Sequence, residues 1–170
     1  MSDPRPLTSR LRLEAGEVHL WWGEVGSVGI LDGSRGWLSD DERARGERFR
    51  RERDAHAFLQ RRLFLRAVLS AYAGRSADEL MFTSGAFGKP RLHDGDGLCF
   101  SLSRSGERVL LGVARGLELG VDVERRDPRL DDPEELSRLA RRVLTAAELA
   151  ALARTPEAER VASFLRAWTR

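Results

Sequence analysis

The sequence has few of the residues on which several kinds of protein depend. Cys99 is the single cysteine among 170 residues, so a disulfide within the chain is impossible and a zinc site built from several cysteines is excluded. The N-terminus has no apolar signal-peptide core, and no apolar run approaches the roughly 18 residues of a membrane span. The sequence therefore predicts a globular, cytoplasmic protein with no membrane partner.

Lysine and histidine are also scarce. Of the 29 lysine and arginine residues, 28 are arginine and one is Lys89. The three histidines are scattered without the spacing of metal ligands: His19, His56 and His93. A lysine ammonium is a compact charge suited to a phosphate oxygen, whereas arginine presents a planar fork. Lys89, in the stretch FGKPRL, is therefore a candidate phosphate contact, and a chance surface lysine is the alternative.

Charge is nearly balanced overall but is segregated locally. The formal net charge is +2, from 29 basic and 27 acidic residues. Residues 43–53, RARGERFRRER, contain six arginines against two glutamates. Such a patch can attract phosphate groups or an acidic partner. A nucleic-acid-binding protein is one interpretation, but the small net charge and the lack of a known reader motif weigh against it.

Hydrophobic periodicity and capping signals predict the order of the elements. The first part has a strand over 17–25, a short basic helix after the capping box Ser39 to Glu42, a core helix over 54–73 closed by Gly74, and strands over 98–103, 108–114 and 119–124. The last three strands predict an antiparallel meander. Beyond residue 126 the pattern is helical, with helix starts at Asp132, Thr145 and Thr155.

Two carboxylates flank Val123 in the stretch GVDVE. If this stretch is a strand, Asp122 and Glu124 lie on the same face, where they repel each other unless a cation lies between them. One interpretation is a strand end with its polar face in water. The other is half of a Mg²⁺ or Mn²⁺ site, because hard cations take carboxylate oxygens together with substrate phosphates. Position alone leaves both open.

Five stretches occur in a characteristic order: ERARGERFRRERDAHAF, FGKPRL, FSLSRSG, LGVDVE and FLRAWTR. Their order and spacing resemble the surfactin-type 4'-phosphopantetheinyl transferases, from about residue 18 to the end. The resemblance implies an α+β fold with antiparallel strands packed on long helices. It also implies two pseudo-symmetric halves, with the basic helix and the GKP and SLSRSG turns in residues 1–115. Residues 116–170 would begin the second half, with the GVDVE strand.

The resemblance further implies an activity and a set of site residues. The activity is transfer of the 4'-phosphopantetheine arm of coenzyme A to a serine of an apo acyl or peptidyl carrier protein, with Mg²⁺ or Mn²⁺. The residues implied for coenzyme A are Arg45, Arg48, Lys89, Pro90, Ser103 and Arg104, and those for the metal are Asp122 and Glu124. Arg104 stands where the family usually has histidine. It can hold phosphate through its fork, but a role for a neutral imidazole would be lost.

The family pattern continues with a lysine and a glutamate after the Trp-Ser/Thr pair, which is Trp168 and Thr169 here. That glutamate, the third metal ligand and proposed general base, would lie beyond Arg170. We therefore expect no catalytic base within these residues, an incomplete second half, and a C-terminally truncated chain with weak or no activity. The alternatives are a non-catalytic module that binds acidic carrier proteins through the basic helix and, with less support, a nucleic-acid-binding protein.

Overall fold

The computed structural model describes residues 10–25, 35–85 and 88–170 of the chain. Within these ranges the strands are β1 (Val18–Glu24), β2 (Phe82–Ser84), β3 (Pro90–Leu92), β4 (Leu98–Ser105) and β5 (Arg108–Arg115). The helices are α1 (Asp40–Glu47), α2 (Glu52–Ala73), α3 (Pro133–Val143), α4 (Ala146–Arg154) and α5 (Glu157–Trp168). Antiparallel sheets combined with helices confirm the expected α+β class.

The chain divides into two compact units, Met1–Val121 and Asp122–Arg170. The pseudo-symmetric halves expected over 1–115 and 116–170 stay a prediction, because compactness does not test symmetry. None of the described helices combines the length and the apolar character that crossing a bilayer would need.

A three-stranded antiparallel sheet in the order β1-β5-β4 forms the centre of the first unit. Leu111, in the middle of β5, pairs with Trp21 on one side and with Leu102 on the other. One face of the sheet packs on α2, and the buried core includes Leu65, Leu69, Tyr72, Phe100, Leu111 and Val113. Alternation along the strands and helical spacing along α2 place apolar side chains on the two surfaces that face each other. Burial of these side chains stabilises the unit.

The start of α1 and the end of α2 are confirmed as predicted, whereas α2 begins at Glu52, two residues before its predicted start. At the start of α1, the Ser39 N–H donates to Glu42 Oε2 at 2.9 Å, and the Glu42 N–H donates to Ser39 Oγ at 3.3 Å. Gly74 ends α2 in the left-handed conformation at φ 65°, with its N–H bonded to Ser70 O. Glycine adopts this conformation without the steric cost of a Cβ atom, so the sequence ends the helix there.

The prediction of a third meander strand over 119–124 is wrong. Residues 117–127 have no regular secondary structure. The edge of β5 that such a strand would need is paired with β1, from Val18 with Ala114 to Glu24 with Arg108. The segment instead crosses the outer face of the sheet, where a Cβ atom on Gly112 would lie 2.6 Å from Val121 Cγ1 and 2.7 Å from Leu119 Cδ1. Leu119 and Val121 are therefore half-buried against a face of the sheet and are not paired at an edge.

The second unit contains α3, α4 and α5, which pack around one apolar cluster. The buried members of that cluster are Leu130, Leu136, Ala140, Val161 and Phe164. The predicted helix starts are confirmed at Asp132, which accepts from the Glu134 N–H at 2.9 Å, and at Thr145, which forms a capping box with Glu148. The third helix, predicted to open at Thr155 and Pro156, begins at Glu157.

Candidate functional site

Lys89 lies in a tight turn between β2 and β3. The Gly85 N–H donates to Lys89 O at 2.7 Å, and Pro90 begins β3 opposite Ser84. Lys89 Nζ donates to Glu118 Oε2 at 3.2 Å and to the carbonyl oxygen of Leu119 at 2.8 Å. The turn therefore brings the single lysine to the chain segment that leads into the GVDVE stretch, although 29 residues separate Lys89 from Glu118.

Arg91 joins this contact and was missed by sequence reasoning. Its Nη2 lies 2.6 Å from Glu118 Oε1, so one carboxylate contacts two cations. Lys89 directly precedes β3 and Arg91 is its second residue, and both side chains reach the same carboxylate. That spacing in the letters KPR was the signal that could have identified Arg91. The hydrogen bond from Lys89, together with the charges of Arg91 and Lys89, lowers the pKa of Glu118.

Ser103 and Arg104 lie near the end of β4, on opposite faces of the sheet. Ser103 pairs with Leu110 on the outer face, whereas Arg104 follows Leu102 on the face that packs against α2. From α2, Arg61 approaches Arg104. Burial, and secondly the charge of Arg104, lower the pKa of Arg61 to about 10. Arg61 is partly buried and Arg104 is exposed, and two guanidinium groups that repel each other favour binding of an anion.

The arginines of the basic stretch 43–53 and those farther along the chain in α2 differ in what they contact. Arg45 and Arg48 are both exposed, and the Arg45 guanidinium lies 5.3 Å from the centre of the Phe58 ring. Arg62 and Arg66, farther along α2, contact the buried carboxylate of Glu42, with Arg66 Nε at 2.8 Å from Oε2. The first two side chains are therefore accessible to a phosphate group, whereas Arg62 and Arg66 bind α2 to α1.

The segment that leads into the carboxylate pair is fixed within the first unit. The Val121 N–H donates to Ser101 Oγ at 3.2 Å. Because Gly112 has no side chain, the side chains of Leu119 and Val121 can approach the sheet. A hydroxyl on β4, a glycine on β5 and the Lys89 contact together hold residues 118–121.

Asp122 and Glu124 begin the second unit, and both are exposed. Because they do not lie in a strand, alternation does not place them on one face, which corrects the geometry that the sequence predicts. Both already interact with other groups of the chain. Within the described ranges, no three His, Cys, Asp or Glu side chains come together as a metal-binding group. Two carboxylates still fit Mg²⁺ as a donor set, because Mg²⁺ often takes one or two protein carboxylates and completes its shell with phosphates and water.

The fold and these residues define a class of protein. It is an α+β protein in which several cations lie on elements of one unit and a carboxylate pair begins the next. Residues 118–170 match the 4'-phosphopantetheinyl transferase superfamily. The chain is 34% identical over 142 residues to the putative 4'-phosphopantetheinyl transferase slr0495 of Synechocystis sp.. The alignment covers 82% of this chain and 56% of the relative.

A second similarity extends over nearly the whole chain. The chain is 32% identical over 168 residues to the 4'-phosphopantetheinyl transferase HetI of Nostoc sp., which covers 96% of this chain and 69% of HetI. It is also 29% identical over 92 residues to the 4'-phosphopantetheinyl transferase ffp of Bacillus subtilis, with 54% of this chain and 41% of the relative covered. The chain belongs to the 4'-phosphopantetheinyl transferase family.

The matched regions span between 41% and 69% of the lengths of these relatives. The surfactin-type assignment, the truncation and the position of the catalytic glutamate stay predictions. The individual roles of the eight site residues also stay predictions.

Proposed function

We propose that the protein transfers the 4'-phosphopantetheine arm of coenzyme A to a serine of an apo acyl or peptidyl carrier protein, as a surfactin-type member of its family. The observation that carries this proposal is the similarity to HetI over 96% of the chain. The exposed cations of the first unit and the carboxylate pair support it, because coenzyme A carries a pyrophosphate and a ribose 3'-phosphate.

The basic side chains would hold and orient the phosphates. Lys89, Arg104 and the neighbouring Arg61 supply positive charge, and Ser103 can donate its hydroxyl hydrogen. Arg45 and Arg48 are candidates for the 3'-phosphate. Asp122 and Glu124 would hold Mg²⁺, which when bound neutralises charge on the pyrophosphate.

In the proposed reaction the hydroxyl oxygen of the carrier serine attacks the β-phosphorus of coenzyme A. A phosphorus–oxygen bond to serine forms as the bond from the β-phosphorus to the bridging pyrophosphate oxygen breaks. The leaving group is 3',5'-ADP, and the serine proton passes to a general base. Guanidinium and ammonium groups aimed at the phosphates would stabilise the charge that develops on the leaving oxygen.

The basic stretch 43–53 supports an acidic carrier protein as the partner, because an exposed patch of one charge favours an oppositely charged surface. A protein that binds carriers without transfer is the second candidate, and the same patch favours it. A cytoplasmic location stays a prediction from the sequence.

Calorimetric titration of the chain with coenzyme A, with and without Mg²⁺, tests the proposal. We expect binding that Mg²⁺ strengthens, and we expect Asp122→Asn and Glu124→Gln each to remove the increment due to Mg²⁺. Glu159→Gln, an equal charge change at an exposed position of α5, is the control. Failure of the chain to bind coenzyme A would favour the non-catalytic module. A full Mg²⁺ increment in both carboxylate variants would contradict the metal assignment.

A further inference from the structure

We infer that Arg91 and Lys89 together form a phosphate-binding pair, and that the carboxylate of Glu118 occupies this pair until a phosphate group of coenzyme A displaces it. The inference rests on the proposed function and adds two residues to it. Arg91 becomes a ligand, and Glu118 becomes an internal competitor that sets the affinity for the cofactor.

The geometry of the hairpin carries the first part of the inference. Glu118 contributes one oxygen to each cation, with Oε1 at 2.6 Å from Arg91 Nη2 and Oε2 at 3.2 Å from Lys89 Nζ. A carboxylate bound in this way shows that the two cations converge on one anionic group. A phosphate offers more oxygens and more charge to the same donors.

Gly85 leaves room for the Arg91 side chain next to Lys89. A Cβ atom on Gly85 would lie 2.8 Å from Arg91 Nε and 3.0 Å from the carbonyl oxygen of Lys89. The missing side chain therefore leaves the space that Arg91 occupies beside the lysine turn.

Lys89 can exchange its anion without leaving its place. An ammonium group has three donors, of which one contacts Glu118 and another contacts the carbonyl oxygen of Leu119. The bond to Leu119 can persist when a phosphate replaces the carboxylate. Lys89 would then remain attached to the segment that leads into the carboxylate pair.

The exposure of the cluster makes the exchange possible. The side chains of Lys89, Arg91 and Glu118 are 37%, 56% and 55% exposed. Ion pairs in such positions are weak, because water and salt screen them and because long side chains lose entropy when they are fixed. A ligand can therefore displace Glu118 at little cost.

Calorimetric titration with coenzyme A compares the native chain with the Glu118→Gln, Arg91→Gln and Glu159→Gln variants. We expect Glu118→Gln to bind coenzyme A about two- to fivefold more tightly, the range that loss of a competing exposed ion pair gives. Arg91→Gln should bind severalfold more weakly, and Glu159→Gln, matched in charge to Glu118→Gln, should bind like the native chain. The tightening should shrink as the salt concentration rises.

Other outcomes of these titrations would overturn the inference or the proposed function. Equal tightening in Glu118→Gln and Glu159→Gln would reveal a general effect of charge and would overturn the inference. Unchanged or weaker binding by Glu118→Gln, or unchanged binding by Arg91→Gln, would also overturn it, while coenzyme A binding by the native chain would leave the proposed function standing. Absence of coenzyme A binding by every variant would contradict both.

Discussion

Two glutamates of the first unit are each held by two basic side chains, and the two clusters differ chiefly in their exposure. Glu42 contacts Arg62 and Arg66, with side-chain exposures of 9%, 17% and 2%. Glu118 contacts Lys89 and Arg91, and all three side chains are more than a third exposed. The same pairing of charges therefore has two different consequences, because the solvent around it differs.

The buried cluster is a structural tie between helices. Glu42 also forms the capping box of α1, and Arg66 donates to the carbonyl oxygens of Ala77 at 2.6 Å and Leu80 at 3.0 Å. Burial tends to raise the pKa of Glu42, but Arg62, the Ser39 N–H and Arg66 outweigh it and lower the pKa. These charges are fully engaged within the protein, so they are poor candidates for binding a cofactor.

The largest expected effect is at the buried cluster. Glu42→Ala leaves the Arg66 guanidinium buried without its counter-ion, and breaking such a pair typically costs about 3–5 kcal/mol. Urea unfolding should show this loss, and Glu47→Ala, in the exposed last turn of the same helix, should stay within about 0.5 kcal/mol of the native chain. Equal stability of the two variants would remove the distinction between the clusters.

Acid should weaken the buried cluster. Because the pKa of Glu42 in the folded state is below its ordinary value of 4.5, the unfolded chain takes up a proton first as the pH falls. The stability due to this carboxylate is present above pH 4.5 and is lost as the pH falls through the folded-state pKa. Unfolding of the native chain and of Glu42→Gln, followed from neutral pH downward, should therefore give curves that converge. A constant difference would show that ionisation of Glu42 is unimportant.

The pair formed by the half-buried Arg61 and the exposed Arg104 should affect binding of coenzyme A more than the fold. Arg104→Gln and Arg61→Gln each remove a charged donor, and loss of one such hydrogen bond typically weakens binding by about tenfold. Calorimetry with coenzyme A would measure the change, and Arg154→Gln at the end of α4 is the control for charge. If all three variants bind alike, the pair does not contact the phosphates.

The smallest expected effect on stability is at the exposed cluster. Glu118→Ala should unfold at the same urea concentration as the native chain, because an exposed ion pair contributes little. The measurement parallels that for Glu42→Ala, so the two variants compare the clusters directly. A loss as large as that of Glu42→Ala would make Glu118 a structural residue.

The sequence predicts local structure well in this protein. Ser39, Glu42 and Gly74 carry their signals within a few neighbouring residues, and the structure confirms the boundaries that they predict. The strand over 119–124 fails because its alternation is equally compatible with packing on a face. Whether the segment could pair with β5 depended on β1, which already pairs with β5 although about ninety residues separate the two strands along the chain.

The Glu118 contacts could not be predicted for a related reason. Lys89 carries a visible signal as the single lysine, but nothing nearby in sequence indicates its carboxylate partner. Arg91 was hidden among 28 arginines, most of which lie at ordinary surface positions. Long-range contacts of this kind depend on how the hairpin packs, and the fold had to be known before the cluster could be identified.

The single lysine allows the central claim, that exposed cations of the first unit bind the phosphates of coenzyme A, to be measured at one atom. Lysine labelled with ¹³C and ¹⁵N gives one side-chain spin system, that of Lys89. We predict that coenzyme A shifts its Cε and Nζ resonances in a saturable way, at concentrations that match the calorimetric binding curve. Saturable binding of coenzyme A that leaves both resonances unmoved would contradict the account.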